Sequence, residues 1–81
     1  MSYEIIWHPT AAKYLESLPH NIAKRILKKF DEVAVEPFRY LEHFEGEGHK
    51  LRIGEYRALI DVDLEKRILK VRVFDKRGRI Y

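Results

Sequence analysis

The C-terminal half of the sequence alternates apolar and polar side chains along three short segments separated by two polar turns. Side chains of a strand point alternately to the two faces of a sheet, so this pattern predicts strands with one apolar and one polar face. The predicted strands run from Lys50 to Ile53, from Tyr56 to Asp63 and from Arg67 to Asp75, with turns at Gly54-Glu55 and Leu64 to Lys66. These segments therefore predict a largely antiparallel sheet.

The same alternation assigns side chains to the two faces of the sheet. The apolar face, which helices are free to cover, is predicted to hold Leu51, Ile53, Ala58, Ile60, Val62, Leu69, Val71 and Val73. The opposite face is predicted to carry Lys50, Arg52, Arg57, Lys70 and Arg72, together with Leu59 and Phe74. A folded sheet with cations on one side indicates a polyanionic partner.

The N-terminal half predicts a strand and two helices. Tyr3 to Trp7 is a short β-favouring run, and Pro9 stops it because proline lacks the N–H that a strand needs. The first helix is predicted from Pro9 to Leu18, where Pro19 ends it. Its apolar residues lie on one side: Ala11, Leu15 and Leu18.

The second helix is the most regular pattern in the sequence. Its apolar residues recur every three or four positions at Ile22, Ile26, Phe30 and Val33, and Asn21 is predicted to cap it. The opposite side carries Lys24, Arg25, Lys28 and Lys29. The helix should end near Val35, because Pro37 disfavours helical geometry at Glu36. The two helices are predicted to form a hairpin with one apolar side.

The segment from Phe38 to Gly48 is predicted to be an acidic loop with Glu42, Glu45 and Glu47. The complete prediction is an α+β fold in the order β-α-α-β-β-β, with a small antiparallel-rich sheet and an N-terminal two-helix hairpin on one face. At 81 residues, with no linker of distinct composition, the sequence predicts a single domain over residues 1–81.

Composition limits the classes of function. The chain has no cysteine, which excludes disulfides and thiolate metal sites. Neither a signal sequence nor an apolar run of about 20 residues is present, so we expect a cytoplasmic protein without membrane contact. The net charge is only +3, but residues 50–81 hold ten Lys or Arg against five Asp or Glu, a balance of +5, and residues 1–49 have a balance of −2. Such asymmetry between halves points to nucleic acid.

Common catalytic motifs are missing from the sequence. It has no glycine-rich phosphate loop, no Ser/His/Asp arrangement around a nucleophile motif and no His-x-x-x-His pair. The acidic residues at 42 to 47 lie in a predicted loop and are interpreted as a solvated cluster. His49 precedes Lys50 and is therefore expected to point to the Leu51 side of the sheet.

Two runs of residues carry a resemblance to a known family. The first is KLRIGEYR, from Lys50 to Arg57, and the second comprises Val71-Arg72-Val73 with the later RGRIY run from Arg77 to Tyr81. With the order of elements, they resemble the RelE/ParE toxin superfamily, and specifically a RelE-type messenger RNA interferase, over nearly the whole chain. The resemblance implies that a basic sheet surface enters the ribosomal A site and cuts the messenger there, without a metal or another cofactor.

The resemblance also implies a division of labour among site residues. The catalytic set carried over is Lys50, Arg52, Arg57, Arg77 and Tyr81. Arg57 would hold the scissile phosphate, since a guanidinium matches phosphate oxygens bidentately, and Lys50 and Arg52 would stabilise the developing charge. Arg77 would face the leaving 5′-oxygen, and Tyr81 would stack on a base or assist proton transfer at the 2′-hydroxyl.

One position departs from the family pattern, because lysine is also common where this chain has Arg52. Arginine cannot practically be deprotonated, so Arg52 is expected to clamp charge, and proton transfer passes to Lys50 and Tyr81. Many relatives also continue beyond the position of Tyr81. Further RNA contacts are predicted for Lys70, Arg72, Lys76 and Arg79.

The resemblance implies three partners: a cognate RelB-like antitoxin, the ribosome and messenger RNA. The antitoxin should place acidic residues against the basic sheet surface and apolar residues against the helices. Two other functions remain open at this point. One is a ParE-like inhibitor of DNA gyrase, which shares the fold without cutting RNA, and the other is a non-catalytic binding module with the RelE fold.

Overall fold

A computed structural model describes residues 2–46 and 48–76, and for Phe44 and Glu45 it describes the backbone only. The elements in chain order are β1 Glu4–Trp7, α1 Pro9–Glu16, α2 His20–Val35, α3 Pro37–Tyr40, β2 Glu42–Glu45, β3 Gly48–Ile53, β4 Tyr56–Asp63 and β5 Ile68–Lys76. In the described part of the chain the strands form a five-stranded sheet in the order β1-β5-β4-β3-β2. Among the described strands only the β1–β5 pair is parallel, and the predicted α+β class is confirmed.

The start of α1 follows from the dipeptide His8-Pro9. Pro9 occupies the first turn, where a missing N–H costs nothing, and Nδ1 of His8 accepts a hydrogen bond from the N–H of Thr10 at 3.1 Å. The helix ends at Glu16, two residues before the predicted Leu18, and the buried residues Ala11 and Leu15 face the core as expected.

The second helix begins one residue earlier than its predicted cap. The carbonyl of Pro19 accepts hydrogen bonds from the N–H groups of Ile22 and Ala23, both at 3.0 Å, so Pro19 holds the cap position. Asn21 therefore lies inside the first turn, and its predicted capping role is wrong. The apolar stripe is confirmed, because Ile26, Phe30 and Val33 are buried and Ile22 packs against them.

The predicted acidic loop is wrong over most of its length. Pro37 begins the short helix α3, which ends at Tyr40, and after Leu41 the residues Glu42–Glu45 form the edge strand β2. β2 pairs antiparallel with β3 and places Glu42 opposite Lys50 and His43 opposite His49. The sequence of β2 does not alternate as a half-buried strand does, so only pairing with β3 reveals it. β3 accordingly starts at Gly48 rather than Lys50.

The turn between β3 and β4 is confirmed at Gly54-Glu55. Ile53 pairs with Tyr56, so the connection has two residues, and Gly54 adopts a φ of 57°. A positive φ at the first central residue is typical of the II′ turns that join twisted strands, and glycine reaches it without strain. This turn fixes the register of β3 against β4.

A β-bulge in β5 changes the predicted faces of the sheet. Leu59 pairs with Val73 but Ile60 pairs with Val71, so Arg72 is the extra residue on β5. The side-chain alternation shifts by one position beyond Arg72. Phe74 is consequently only 3% exposed and lies in the core, whereas Val73 is 36% exposed on the other face. Both predictions, Val73 in the core and Phe74 outside it, are wrong.

Aromatic rings close the core between the helices and the sheet. Phe74 makes an edge contact with Trp7 and a stacked contact with Tyr56, each at a centroid distance of 5.7 Å. Trp7 also contacts Phe30 of α2 at 4.7 Å, and Tyr14 of α1 contacts Phe74 at 5.7 Å. Such pairs add packing energy beyond their buried area. Phe74 thus joins both long helices to the sheet.

Candidate functional site

The sheet surface that faces away from the helices, called the outer face below, carries the cations of the β3–β4 hairpin. Arg52 of β3 lies directly opposite Arg57 of β4, and Lys50 lies opposite Leu59. Directly opposed residues have Cβ atoms about 5 Å apart, and like charges at that spacing destabilise a sheet. This arrangement therefore costs stability, and it concentrates positive charge at one place.

Arg57 is less exposed than Arg52, its partner on β3. It is half-buried, and among the described residues its Nε is a buried donor without a hydrogen-bond acceptor. An unsatisfied buried donor costs free energy unless a ligand supplies the acceptor. Asp75 pairs with Arg57 across β4 and β5, and its Oδ1 accepts the N–H of Lys76 at 2.7 Å. Arg57 thus has a donor available for an anion.

Two carboxylates provide counter-ions on the outer face. Oε1 of Glu42 lies 3.6 Å from Nε of Arg52, and Oδ2 of Asp61 lies 2.8 Å from Nε of Arg72. These side chains are partly or largely exposed to solvent, and such pairs contribute little free energy, so a phosphate can displace them. Sequence reasoning missed Glu42 because it placed this residue in a loop; the signal is its pairing with Lys50 in the sheet.

The further predicted RNA contacts divide between the two sides of the sheet. Lys70 and Arg72 lie on the outer face, as the alternation predicts, and both are exposed. Lys76, by contrast, pairs with Tyr56, whose side chain belongs to the core. The bulge therefore places Lys76 on the side of the helices, apart from the other cations. Arg77, Arg79 and Tyr81 lie outside the described residues.

The side chains of His43 and His49 lie on the side of the sheet opposite the outer face. His49 pairs with Ile60 and thus points to the Leu51 side, as predicted, where its ring contacts Phe38 and His43. His43 places Nε2 3.0 Å from the carbonyl oxygen of Gly46. Within residues 2–46 and 48–76, no group of three His, Cys, Asp or Glu side chains is arranged to hold a metal ion.

A second concave feature lies on the helix side of the molecule. It is a groove of about 460 Å³ between α2 and the β3–β4 turn. Apolar lining comes from Ile22, Ile26, Ile53 and Tyr56. Its charged lining comprises the cations Arg25, Lys28 and Lys29 of α2 and the carboxylates of Glu32 and Glu55. This helix-side groove is open and combines apolar surface with more cations than carboxylates.

No helix within the described stretches has the length and apolar character needed to cross a bilayer.

The family profile described as ParE toxin of type II toxin-antitoxin systems matches residues 5–81. The chain belongs to the RelE/ParE toxin superfamily. It is accordingly a toxin of a type II toxin-antitoxin system, and this confirms the superfamily resemblance found in the sequence. Sequence comparison with curated proteins gives no match.

Solved structures of RelE-containing systems share the fold of this toxin. A chain of the toxin-antitoxin complex RelBE2 from Mycobacterium tuberculosis has 25% identity and a TM-score of 0.84, covering 95% of this chain and 100% of that one. A chain of the archaeal RelE–RelB complex from Pyrococcus horikoshii has 26% identity and a TM-score of 0.80, with 98% and 99% covered. A free double mutant of Escherichia coli toxin RelE has 21% identity and a TM-score of 0.81, with 99% and 88% covered, which shows the fold alone.

Proposed function

We propose that this toxin is a ribosome-dependent endoribonuclease that cuts messenger RNA in the A site and so inhibits translation. The observation that carries the proposal is the opposed pair Arg52 and Arg57 beside Lys50, because a sheet has no structural reason to place like charges opposite one another. A substrate phosphate relieves that repulsion. The proposal places the protein in the cytoplasm, where ribosomes and messenger RNA occur.

The reaction that fits these groups is an internal phosphoryl transfer within RNA. The 2′-oxygen attacks the adjacent phosphorus as its proton leaves, and the bond from phosphorus to the 5′-oxygen breaks as that oxygen gains a proton. The products are a 2′,3′-cyclic phosphate and a 5′-hydroxyl. The protein has to align the attack, stabilise negative charge and move two protons, and this mechanism uses no metal or other cofactor.

Arg57 is assigned to the scissile phosphate. Its half-buried position holds the guanidinium in place, and its Nε lacks an acceptor among the described residues. A guanidinium presents a planar fork that matches two phosphate oxygens. Arg52 is assigned to the charge that develops on the phosphoryl oxygens, after Glu42 is displaced from it. Lys50 shares that task and, because an amine can lose its proton, also transfers one.

The remaining roles rest on the family resemblance. Arg77 is assigned to the leaving 5′-oxygen, and Tyr81 to base stacking or proton transfer at the 2′-hydroxyl. Lys70 and Arg72, which lie on the outer face, are assigned to neighbouring phosphates of the RNA, together with Arg79. Lys76 receives no role here, because it lies on the side of the helices.

Cleavage of messenger RNA on programmed ribosomes tests the proposal directly. Messenger 5′ ends are read by primer extension after incubation with the intact toxin, with Arg57→Ala and with Arg39→Ala. Arg39 is a matched control, because it is an exposed arginine on α3, paired with Glu36 at 3.7 Å. We expect A-site cuts with the intact toxin and Arg39→Ala, and a rate about 10²- to 10³-fold lower with Arg57→Ala.

Gyrase inhibition is the second candidate, and the match to the ParE toxin profile favours it. Supercoiling by DNA gyrase is measured with the same three proteins. Inhibition of supercoiling without A-site cuts would replace the ribonuclease proposal with a ParE-like function. RNA or ribosome binding with neither activity would indicate a non-catalytic module.

An antitoxin partner is proposed from the solved RelB–RelE complexes and from the helix-side groove. The groove suits an amphipathic RelB-like segment, whose apolar side chains contact Ile22 and Ile53 and whose carboxylates meet Arg25 and Lys28. Charge reversal by Arg25→Glu with Lys28→Glu should weaken capture of a co-expressed antitoxin at least tenfold. Lys24→Glu, an exposed charge reversal elsewhere on α2, is the control and should leave capture unchanged. Unchanged capture by the double variant would show that the groove is not part of the antitoxin interface.

A further inference from the structure

The bulge at Arg72 produces a feature of the outer face that regular alternation would not. Because Arg72 is the extra residue, both Arg72 and Val73 point away from the helices. Val73 then lies beside Leu59, its partner on β4, and is 36% exposed. β4 and β5 are both interior strands of the sheet. Two adjacent aliphatic side chains therefore reach solvent near the centre of a charged surface, and we name them the Leu59–Val73 platform.

Cations surround this platform on three sides. Lys50 of β3 lies directly opposite Leu59. Arg57 lies two residues before Leu59 on β4, on the same face of the sheet. Arg72 precedes Val73 on β5. Carboxylates are present as well, since Asp61 pairs with Arg72 and Asp75 lies opposite Arg57. The surface thus combines an apolar centre with a charged border, in which Arg57 and Asp61 flank Leu59 along β4 and Lys50 lies opposite it on β3.

Single-stranded RNA has the complementary arrangement. Each nucleotide presents a flat, weakly polar base between charged phosphates, and proteins bind such strands by pairing cations with phosphates and apolar or aromatic surfaces with bases. A partner that is only a polyanion would have no use for exposed aliphatic groups at the centre of the site. Bulges are also frequent beside functional sites, where they redirect side chains.

We propose that the Leu59–Val73 platform is a nucleobase subsite, which receives the flat face of one RNA base while Lys50, Arg57 and Arg72 bind the phosphates on either side. The inference rests on the proposed function, since it extends the same surface. It adds that the toxin distinguishes RNA from other polyanions. It also assigns the bulge a role in function, because the bulge brings Val73 to the surface.

The first test compares two polyanions. Affinity is measured by fluorescence polarisation at low salt for a single-stranded RNA oligonucleotide and for inorganic polyphosphate of similar charge. The variant is Leu59→Thr with Val73→Thr, which removes apolar contact and keeps a β-favouring residue at each position. The control is Ile6→Thr, because Ile6 is also apolar and 41% exposed on the outer face but lies on the edge strand β1.

We expect the double variant to lose about tenfold in RNA affinity with less than a twofold change for polyphosphate, and the control to change neither. Equal losses for both ligands, no loss for RNA, or no preference of the intact toxin for RNA would each overturn the proposal. Circular dichroism checks that the variants fold. Should the double variant unfold, Val73→Thr alone is nearly isosteric at an exposed position and is used instead.

The second test locates the base without changing the protein further. Each nucleotide of the oligonucleotide is replaced in turn by an abasic ribose, and every replacement is measured with the intact toxin and with the double variant. We expect one position at which base removal weakens binding to the intact toxin but not to the variant, because the two changes delete the same contact. Additive losses at all positions would exclude the subsite. Binding is measured without cleavage, so loss of A-site cutting and loss of the subsite are separate outcomes.

Discussion

The two faces of the sheet differ in what they contribute to the protein. The inner face is apolar, and its central residues Leu51, Ile60 and Leu69 are no more than 1% exposed beneath the helices. The outer face instead opposes Arg52 to Arg57, although like charges at that spacing destabilise the folded state. Stability is therefore concentrated on the inner face, which leaves the outer face free to hold an arrangement that only a ligand makes favourable.

The bulge at Arg72 adds to the chemical difference between the two faces. On the inner face, Phe74 fills the position opposite Ala58, so the core remains apolar past Arg72. On the outer face, the same bulge exposes Val73 next to a charged residue. One extra residue thus improves the aromatic core and changes the chemistry of the outer face.

The largest expected effect concerns the bulge itself. Phe74→Ala should lower the free energy of unfolding by about 3–5 kcal/mol, because it removes ring contacts with Trp7, Tyr14 and Tyr56 and leaves a cavity. Val73→Ala, its neighbour on the outer face, should cost less than about 1 kcal/mol. Urea unfolding measures both. The reverse order would mean that β5 continues in regular alternation; Phe74→Leu replaces the alanine variant if that protein does not fold.

A smaller effect is expected for the opposed arginines of the outer face. Arg52→Thr should raise the free energy of unfolding by about 0.5–1 kcal/mol at low salt, because it removes the like charge opposite Arg57. Lys70→Thr is the matched control, since Lys70 pairs with Asp61 and its loss should give no gain. The difference should shrink in high salt. A lower stability of Arg52→Thr would show that the exposed contact with Glu42 outweighs the repulsion.

The smallest expected effect concerns the counter-ion on β2. Glu42→Gln removes the carboxylate that lies 3.6 Å from Arg52 and opposite Lys50. Affinity for single-stranded RNA should rise about two- to fivefold at low salt, because no counter-ion has to be displaced and exposed pairs contribute about 1 kcal/mol or less. Glu36→Gln, whose partner Arg39 lies on α3, is the control. Weaker binding by Glu42→Gln would instead make Glu42 a positioning residue for Arg52.

The local sequence pattern was sufficient to predict an element when one of its faces is buried and the element it packs or pairs with comes next in the chain. The stripe from Ile22 to Val33 predicts α2 because a helix brings residues three and four apart to one side. Lys50, Arg52 and Arg57 were placed on one face because the Gly54-Glu55 turn leaves no freedom in register. The described part of the predicted site lies mainly in this hairpin, which is why Lys50, Arg52 and Arg57 lie together.

Local pattern was insufficient where pairing decides the structure. β2 has no apolar alternation, and its strand geometry comes from hydrogen bonds to β3, so Glu42 was assigned to a loop. Likewise, the sequence around Arg72 alternates without interruption, and nothing in it marks an extra residue. Packing of Phe74 against Trp7 and Tyr56 favours the bulged register.

The α+β class, the apolar stripe of α2 and the alternation of β3 and β4 follow from the amino-acid sequence, because they depend on residues close together in the chain. That β2 joins the sheet and that Lys76 points to the helix side follow from the three-dimensional packing. It also decided the exchange of Val73 and Phe74 between faces. Edge pairing and bulges depend on contacts between residues far apart in the sequence, and the periodicity of a local segment does not indicate them.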